Sequence, residues 1–273
     1  MPATEQNFVP CPALTLAEPL AGAMRIALLA GEFQVHYQPV VTPAGDLHGC
    51  EALVRWPRGT VPTSPAEFIP VAERSGLIVE LGAFVLKESM LQHQRFCRAG
   101  LAAMHMNVNV SPCQLEIPGF ADTLEDLLTA FELPANKLTL ELTEGAVITN
   151  LDEVVRQMGR VRELGVRLAL DDYGTGQAGL TYLQAFPVSA LKIDRSFVQG
   201  MEKSRSTAIV VKSVVDLAKA LELQVVAEGI ETIAQAEALA RLGTDFLQGY
   251  LFGPPMSGSD FIARFSATSR QYS

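Results

Sequence analysis

Cysteine and histidine are both scarce in this 273-residue sequence, and neither is arranged in a metal-binding or redox motif. The four cysteines are Cys11, Cys50, Cys97 and Cys113, and the four histidines are His36, His48, His93 and His105. The absence of CxxC, HxxxH and HExxH spacings excludes a recognisable zinc knuckle, thioredoxin-like motif or histidine-rich zinc site. We therefore expect reduced, buried thiols in an intracellular protein.

Positive charge is also limited, since 21 Lys and Arg residues face 30 Asp and Glu residues and the formal net charge is -9. This balance argues against binding a nucleic-acid polymer through a broad basic surface. It permits a small phosphate ligand bound together with divalent cations, because acidic sites attract cations and cations bind phosphates.

Targeting signals and long hydrophobic runs are missing as well. The first basic residue is Arg25, so no signal-peptide n-region is present, and the apolar stretch Leu20 to Ala30 is too short to span a bilayer. We expect a cytoplasmic protein without a membrane segment. Composition predicts a loose lead-in over residues 1–12, a polar tail over residues 266–273 and one compact domain between them.

The rest of the sequence alternates β-type runs with helical patterns. The predicted strands are Phe33–Val41, Cys50–Arg55, His105–Val110, Lys137–Leu142, Val166–Leu170, Ala190–Ile193, Gln224–Ala227 and Phe246–Leu251. The clearest helix runs from Leu151 to Leu164, with capping-box spacing of Asn150 and Glu153 before it. Such alternation over roughly 250 residues is typical of a (β/α)8 barrel, an α/β fold. A doubly wound sheet alternates in the same way, but the glycine-rich loop expected after its first strand is missing.

Polar residues, most of them with oxygen donors, stand at or near the ends of these runs. They are Glu51, Asn107, Asn109, Glu141, Glu144, Asp171, Asp172, Lys192, Asp194, Glu228, Glu231 and Gln248. Because the strand ends of a barrel meet at one face, we expect these side chains to lie together. Oxygen ligands without Cys or His select a hard ion such as Mg2+ or Mn2+. The adjacent Asp171 and Asp172 suit a two-metal centre, in which one carboxylate bridges ions about 3.5–4 Å apart for attack on a phosphodiester.

Each of these residues also has an ordinary structural explanation. The segment from Asp171 to Gly176 is rich in turn residues, and Glu51 suits an edge strand. Glu228 suits the start of a helix, and Lys192 alone would be a surface lysine. Their recurrence at one end of successive strands favours a common site.

A series of short motifs follows in order along the chain. They are Tyr37-Gln38-Pro39, Glu51-Ala52-Leu53-Val54-Arg55-Trp56, Phe68-Ile69-Pro70, Asn107-Val108-Asn109-Val110-Ser111, Glu141-Leu142-Thr143-Glu144, Asp171-Asp172-Tyr173-Gly174-Thr175-Gly176, Lys192-Ile193-Asp194, Glu228-Gly229-Ile230-Glu231 and Gln248-Gly249-Tyr250. This ordered set resembles the EAL domain family of cyclic di-GMP phosphodiesterases over residues 20–265. The resemblance therefore leaves residues 1–19 as a flexible lead-in and residues 266–273 as a flexible tail. The resemblance implies a modified TIM barrel with an antiparallel first strand, hydrolysis of cyclic di-GMP to linear pGpG, and a homodimer.

The resemblance also implies roles for single residues. The implied metal ligands for two Mg2+ or Mn2+ ions are Glu51, Asn109, Glu141, Asp171, Asp172 and Glu228, with Asp171 shared. Lys192 would contact the attacking water and the developing charge, and Glu228 is also a candidate general base. The implied substrate contacts are Gln38, Leu53, Arg55, Asp194, Glu231 and Gln248, and Glu144 would brace the loop that starts at Asp171. We expect Ca2+ to inhibit, because its larger size and irregular ligation would misplace the nucleophile.

One segment departs from the family pattern. Gln177, Ala178 and Gly179 replace a tyrosine and serines, and Tyr173 replaces a commoner phenylalanine. Because this loop links the metal site to the dimer interface in the family, the sequence leaves the turnover level open. The alternatives are a weak or inactive EAL domain that acts as a cyclic di-GMP receptor, and a barrel hydrolase for another phosphodiester. The complete ligand set favours the active enzyme.

Overall fold

The computed structural model describes residues 12–59, 62–143, 148–174 and 179–266. Eight strands form a closed barrel in which neighbours in the chain are neighbours in the sheet. They are β1 (Gln34–Val41), β2 (Leu47–Arg55), β3 (His105–Asn109), β4 (Leu138–Thr143), β5 (Arg167–Tyr173), β6 (Ala190–Ile193), β7 (Gln224–Ala227) and β8 (Phe246–Gln248). Each strand overlaps a predicted run, so the predicted barrel is confirmed.

The first strand has the opposite direction to its neighbours. β1 is antiparallel to both β2 and β8, whereas the remaining neighbours pair in parallel. The register places Gln34 opposite Arg55 and Gln38 opposite Glu51. β1 therefore starts at the end of the barrel where the other strands finish, which confirms the modified TIM barrel.

Helices surround the barrel. Those in the described part are α1 (Pro12–Ala30), α2 (Pro65–Ser75), α3 (Ile78–Arg98), α4 (Pro112–Leu115), α5 (Phe120–Ala130), α6 (Leu151–Glu163), α7 (Gly179–Ala185), α8 (Arg195–Gly200), α9 (Arg205–Ala220), α10 (Ile233–Leu242) and α11 (Gly258–Phe265). Among the described residues, no helix combines the length and the apolar character that crossing a bilayer requires.

Helix α1 begins inside the segment that was predicted as a flexible lead-in. Pro12 is tolerated in a first turn, where its missing N–H would have no partner, and the Ala and Leu residues that follow are strong helix formers. Met24 and Ala27 of this helix are buried. The predicted boundary at residue 20 therefore falls within α1. Residues 1–11 and 267–273 lie outside the described residues, and the domain boundaries stay predictions.

Strand alternation separates the core from the functional interior of the barrel. Along β4, Leu138, Leu140 and Leu142 are buried in the main hydrophobic cluster, whereas Thr139 and Glu141 alternate with them and face the opposite side. A second cluster lies under α1, α2 and α3 and contains the buried aromatic residues Phe33, Trp56 and Phe68. The leucine layer thus fixes the strands while leaving their inner faces free for polar groups.

The cysteine prediction holds in part. Cys50, Cys97 and Cys113 are free thiols, and Cys11 lies outside the described residues. Cys50 is buried, but Cys97 and Cys113 are half-buried because they lie on helices that border solvent.

Candidate active site and metal centre

The polar strand ends converge on one lysine. The ammonium nitrogen of Lys192 lies 2.5 Å from Glu228 Oε1, 2.7 Å from Glu141 Oε2, 3.1 Å from Asp171 Oδ2 and 3.6 Å from Glu51 Oε2. These five residues come from five different strands or strand ends, as the barrel geometry predicts. The cluster is therefore a product of the tertiary fold.

Two overlapping groups of carboxylates could each hold a metal ion. Glu51, Glu141 and Asp171 form one group, and Asp171, Asp172 and Glu228 form the other; within each group the donor oxygens lie within 4.8 Å of one another. Asp171 belongs to both. The backbone of Asp172 has a φ of 54°, a left-handed conformation that costs energy in a non-glycine residue. This turn brings two consecutive carboxylates into the same cluster, although strand alternation would separate them.

Two side-chain amides orient the carboxylate of Glu51. Asn109 Nδ2 donates to Glu51 Oε1 over 2.6 Å, and Gln248 Nε2 donates to Glu51 Oε2 over 2.6 Å. Gln248 Nε2 also lies 3.2 Å from Gln38 Oε1, while Gln38 Nε2 donates to the carbonyl oxygen of Gly253. Both oxygens of Glu51 are thus held in place by neutral donors.

Burial and charge set the ionisation of the cluster. Burial raises the pKa of Glu141, Glu228 and Asp171 above the usual carboxyl range, against the opposing effect of the Lys192 ammonium. Burial acts in the same direction on Glu51, but Lys192 and the amide donors outweigh it and lower its pKa. Burial, together with the charge of Asp171, raises the pKa of Asp172 to about 6. The surrounding carboxylates overcome burial at Lys192 and raise its pKa.

The charges fit a pair of divalent cations. When ionised, Glu51, Glu141, Asp171, Asp172 and Glu228 carry five negative charges against the one ammonium of Lys192. The excess of four equals the charge of two divalent ions. The donors are carboxylate and amide oxygens, which suit hard ions such as Mg2+ and Mn2+. The cluster can therefore hold metal with Glu51, Asn109, Glu141, Asp171, Asp172 and Glu228 as the candidate ligands.

A cleft of about 570 Å³ opens above the cluster. All six predicted substrate contacts border it: Gln38, Leu53, Arg55, Asp194, Glu231 and Gln248. Asp194 and Glu231 are also hydrogen-bonded within the protein, since Asp194 accepts from the Ser196 backbone N–H and Glu231 accepts from the Gln199 side chain. The structure therefore brings the predicted binding residues together around one opening.

Two residues of the site, Asn107 and Tyr250, belong to motifs of the sequence, but the sequence predicted no function for them. Asn107 Nδ2 donates to Glu141 Oε1 over 2.9 Å. Tyr250 borders the cleft with 67 % of its surface exposed, beside Arg55. The period-two spacing of Asn107 and Asn109 placed both on one strand face, but nothing in the sequence linked Asn107 to Glu141.

Other predictions concern the loops that follow β4 and β5. Glu144, the predicted loop support, falls outside the described residues, as do Gln177 and Ala178 of the departing segment. Tyr173 is described and buried at the end of β5.

The sequence is similar to curated proteins from several bacteria. It is 38 % identical over 243 residues to the bifunctional diguanylate cyclase/cyclic di-GMP phosphodiesterase MucR of Pseudomonas aeruginosa, covering 88 % of this chain and 35 % of MucR. It is 38 % identical over 247 residues to the cyclic di-GMP phosphodiesterase PdeL of Escherichia coli, covering 89 % of this chain and 68 % of PdeL. The chain thus spans about a third of MucR and about two thirds of PdeL.

Solved structures and a family model agree with this similarity. The MucR phosphodiesterase in complex with c-di-GMP superposes with a TM-score of 0.83 at 37 % identity, covering 89 % of this chain and 99 % of that one. The EAL enzyme Bd1971, bound to cAMP and cyclic-di-GMP, has a TM-score of 0.85 at 31 % identity, covering 94 % and 71 %. The EAL domain model matches residues 21–255. By its sequence motifs, its fold and this match, the chain belongs to the EAL domain family.

Proposed function

We propose that the protein is a metal-dependent phosphodiesterase that hydrolyses cyclic di-GMP to linear pGpG. The observation that carries this proposal is the convergence of a complete set of oxygen donors around Lys192 beneath an open cleft. The names of MucR and PdeL, and the c-di-GMP complex of the MucR phosphodiesterase, support the substrate.

In this proposal Glu51, Asn109, Glu141 and Asp171 hold one Mg2+ or Mn2+ ion, and Asp171, Asp172 and Glu228 hold the second. Such a pair of ions, when bound, lowers the pKa of a water molecule and neutralises charge on a phosphate. Lys192 donates to the oxygens on which negative charge develops, and Glu228 accepts the proton of the attacking water. The fixed orientation of Glu51 by its amide donors reduces the reorganisation that ion binding requires.

The cleft residues would hold the substrate. Arg55 and the main chain of Leu53 grip a phosphate, because a guanidinium matches phosphate geometry. The base, ribose and water contacts are assigned to Gln38, Asp194, Glu231 and Gln248. We further propose that Glu144 braces the loop after Asp171, that the protein acts as a homodimer, and that it works in the cytoplasm.

The proposal is tested by incubating purified protein with cyclic di-GMP and either Mg2+ or Mn2+ and following pGpG by chromatography. Asp171→Asn should lower the rate by more than the roughly 10- to 100-fold typical of outer-shell partners, because it removes the shared ligand. Asp122→Asn, which alters an exposed aspartate paired with Arg160, is the matched control and should keep the normal rate. A normal rate in Asp171→Asn would contradict the assignment.

Two further conditions separate the alternatives. Ca2+ as the sole ion should suppress turnover, and full activity in Ca2+ would argue against the two-metal geometry. Tight binding of cyclic di-GMP without pGpG would identify a receptor instead. Equal rates with cyclic di-AMP and simple aryl phosphodiesters would contradict specificity for cyclic di-GMP.

A further inference from the structure

Strand β3 places two asparagine amides under two different carboxylates. Asn107 and Asn109 are two residues apart and therefore share the inner face of the barrel. Asn109 reaches Glu51, whereas Asn107 reaches Glu141. In the strand register Asn109 lies opposite Glu141, and Asn107 lies opposite Glu51. Each amide therefore donates to the carboxylate that is not its register partner.

The bond from Asn107 completes the surroundings of Glu141. Glu141 is 1 % exposed, and its two oxygens accept from different donors, Oε2 from Lys192 and Oε1 from Asn107. A buried carboxylate oxygen without a donor is costly, and a side chain held at one oxygen only can turn about its terminal bond. The interiors of such barrels are usually filled with branched aliphatic side chains, so an amide at this depth needs the bond it makes.

We propose that Asn107 is a positioning residue for the metal centre, in that its amide holds Glu141 in the orientation in which this carboxylate ligates a divalent cation. The inference rests on the proposed metal-binding function of the cluster. Asn107 itself does not ligate the ion or touch substrate. It acts through Glu141, as second-layer hydrogen-bond donors do at other metal sites.

The neighbouring Thr139 provides a matched control. Thr139 lies opposite Asn107 in the register, and both line a cavity of about 20 Å³ beneath Glu141. The contact to Glu141 distinguishes the two residues, since Asn107 donates to this carboxylate. Asn107→Leu and Thr139→Val each remove polar atoms from this layer with little change of shape. A truncation would instead enlarge the cavity.

The test measures Mn2+ binding by isothermal titration calorimetry on purified protein without nucleotide. Asn107→Leu should weaken Mn2+ binding roughly 10- to 100-fold, while Thr139→Val keeps the wild-type affinity. In activity measurements the Mn2+ concentration for half-maximal rate should rise by the same factor at an unchanged KM for cyclic di-GMP. Wild-type affinity in Asn107→Leu, or an equal loss in Thr139→Val, would overturn the inference.

A replacement variant and measurements on wild-type protein make the result interpretable. If Asn107→Leu does not fold by circular dichroism, Asn107→Ala takes its place, and full Mn2+ affinity in that variant overturns the inference. Wild-type protein that binds Mn2+ without hydrolysing cyclic di-GMP would refute the proposed hydrolysis but leave the role of Asn107 intact. Wild-type protein that binds no Mn2+ would refute both.

Discussion

Lys192 occupies surroundings that lysines rarely tolerate. Its side chain is 1 % exposed, and its ammonium is within 3.6 Å of four carboxylates. Burial alone would favour the neutral amine, but the carboxylates reverse that preference and raise its pKa. The lysine and the acids therefore stabilise one another's charged forms, and removal of either side leaves the other uncompensated.

The variant Lys192→Met should destabilise the metal-free protein by about 3 kcal/mol, because it removes the ammonium that pairs with four buried carboxylates. Mn2+ should restore part of this loss by supplying positive charge to the same oxygens. Urea unfolding in EDTA and in Mn2+ measures both effects. Lys212→Met is the control, since Lys212 is 59 % exposed in its pair with Asp216 and such pairs contribute little. Equal stability of Lys192→Met and wild type in EDTA would contradict this account.

The residues of the candidate site were predictable from sequence to the extent that each stood in a recognisable motif at a strand end. Glu51, Glu141 and Lys192 follow that rule and lie together. The partner of each amide was not predictable, because it depends on the stagger between neighbouring strands. Asn107 and Asn109 look equivalent in the sequence, yet they serve different carboxylates.

At the scale of elements, the start of α6 shows what local patterns can and cannot specify. Asn150 accepts a hydrogen bond from the Glu153 backbone N–H over 3.2 Å, as its spacing predicts. The reciprocal bond of the capping box is not made, because the Glu153 carboxylate pairs with Arg156 and Gln157. The Asn150 backbone N–H instead donates to Glu116, which follows α4. Glu116, which lies 34 positions away in the sequence, therefore takes the place of Glu153 as the acceptor. A pattern of neighbouring residues cannot reveal such a distant partner.

The opposite end of the barrel carries a stack of rings at the starts of three strands. The ring centroid of His48 on β2 lies 4.4 Å from that of His105 on β3 and 3.8 Å from that of Phe246 on β8. Burial lowers the pKa of His48 to about 4 and that of His105 to about 3, and the nearby charges of Lys137 and Arg167 act in the same direction. Both rings are therefore neutral in the folded barrel at neutral pH.

This stack predicts a loss of stability in mild acid. In the unfolded chain both rings take up protons near pH 6.5, so stability is complete above that pH and falls as the pH drops towards 4. His48→Phe keeps a ring between its neighbours and removes one titrating group. Its melting temperature, followed from pH 7 to pH 4 in EDTA, should therefore fall less steeply than that of wild type. Parallel curves would show that the stack does not control acid stability.

At the scale of the whole molecule, cation binding and folding are linked through the acidic cluster. An ion that binds the folded barrel alone should stabilise it by about 2.7 kcal/mol at a concentration 100 times its dissociation constant. Mn2+ should thus raise the melting temperature of wild type over that in EDTA. Asp171→Asn, which removes the carboxylate common to both groups, should lose most of this rise. An equal rise in both proteins would show that Mn2+ binds elsewhere.

The barrel architecture was predictable from the alternation of strands and helices along the sequence. The direction of β1 was predicted only from the family resemblance. Nothing in the residues of β1 distinguishes an antiparallel strand from a parallel one, because its alternation is the same in both. Helix α1 was not predicted, because the proline-containing polar start of the chain indicated a loose lead-in, whereas the helix begins at Pro12 and also contains Pro19.

The seam between β1 and β8 has a consequence for the order of assembly. It is closed by two register pairs, one of which joins Val40 to Gln248, and Gln248 in turn orients Glu51. Gln248 follows Glu51 by 197 residues, so during synthesis the carboxylate is made long before this amide. The acidic cluster therefore lacks one of the two amides that orient Glu51 until β8 has been made and has paired with β1.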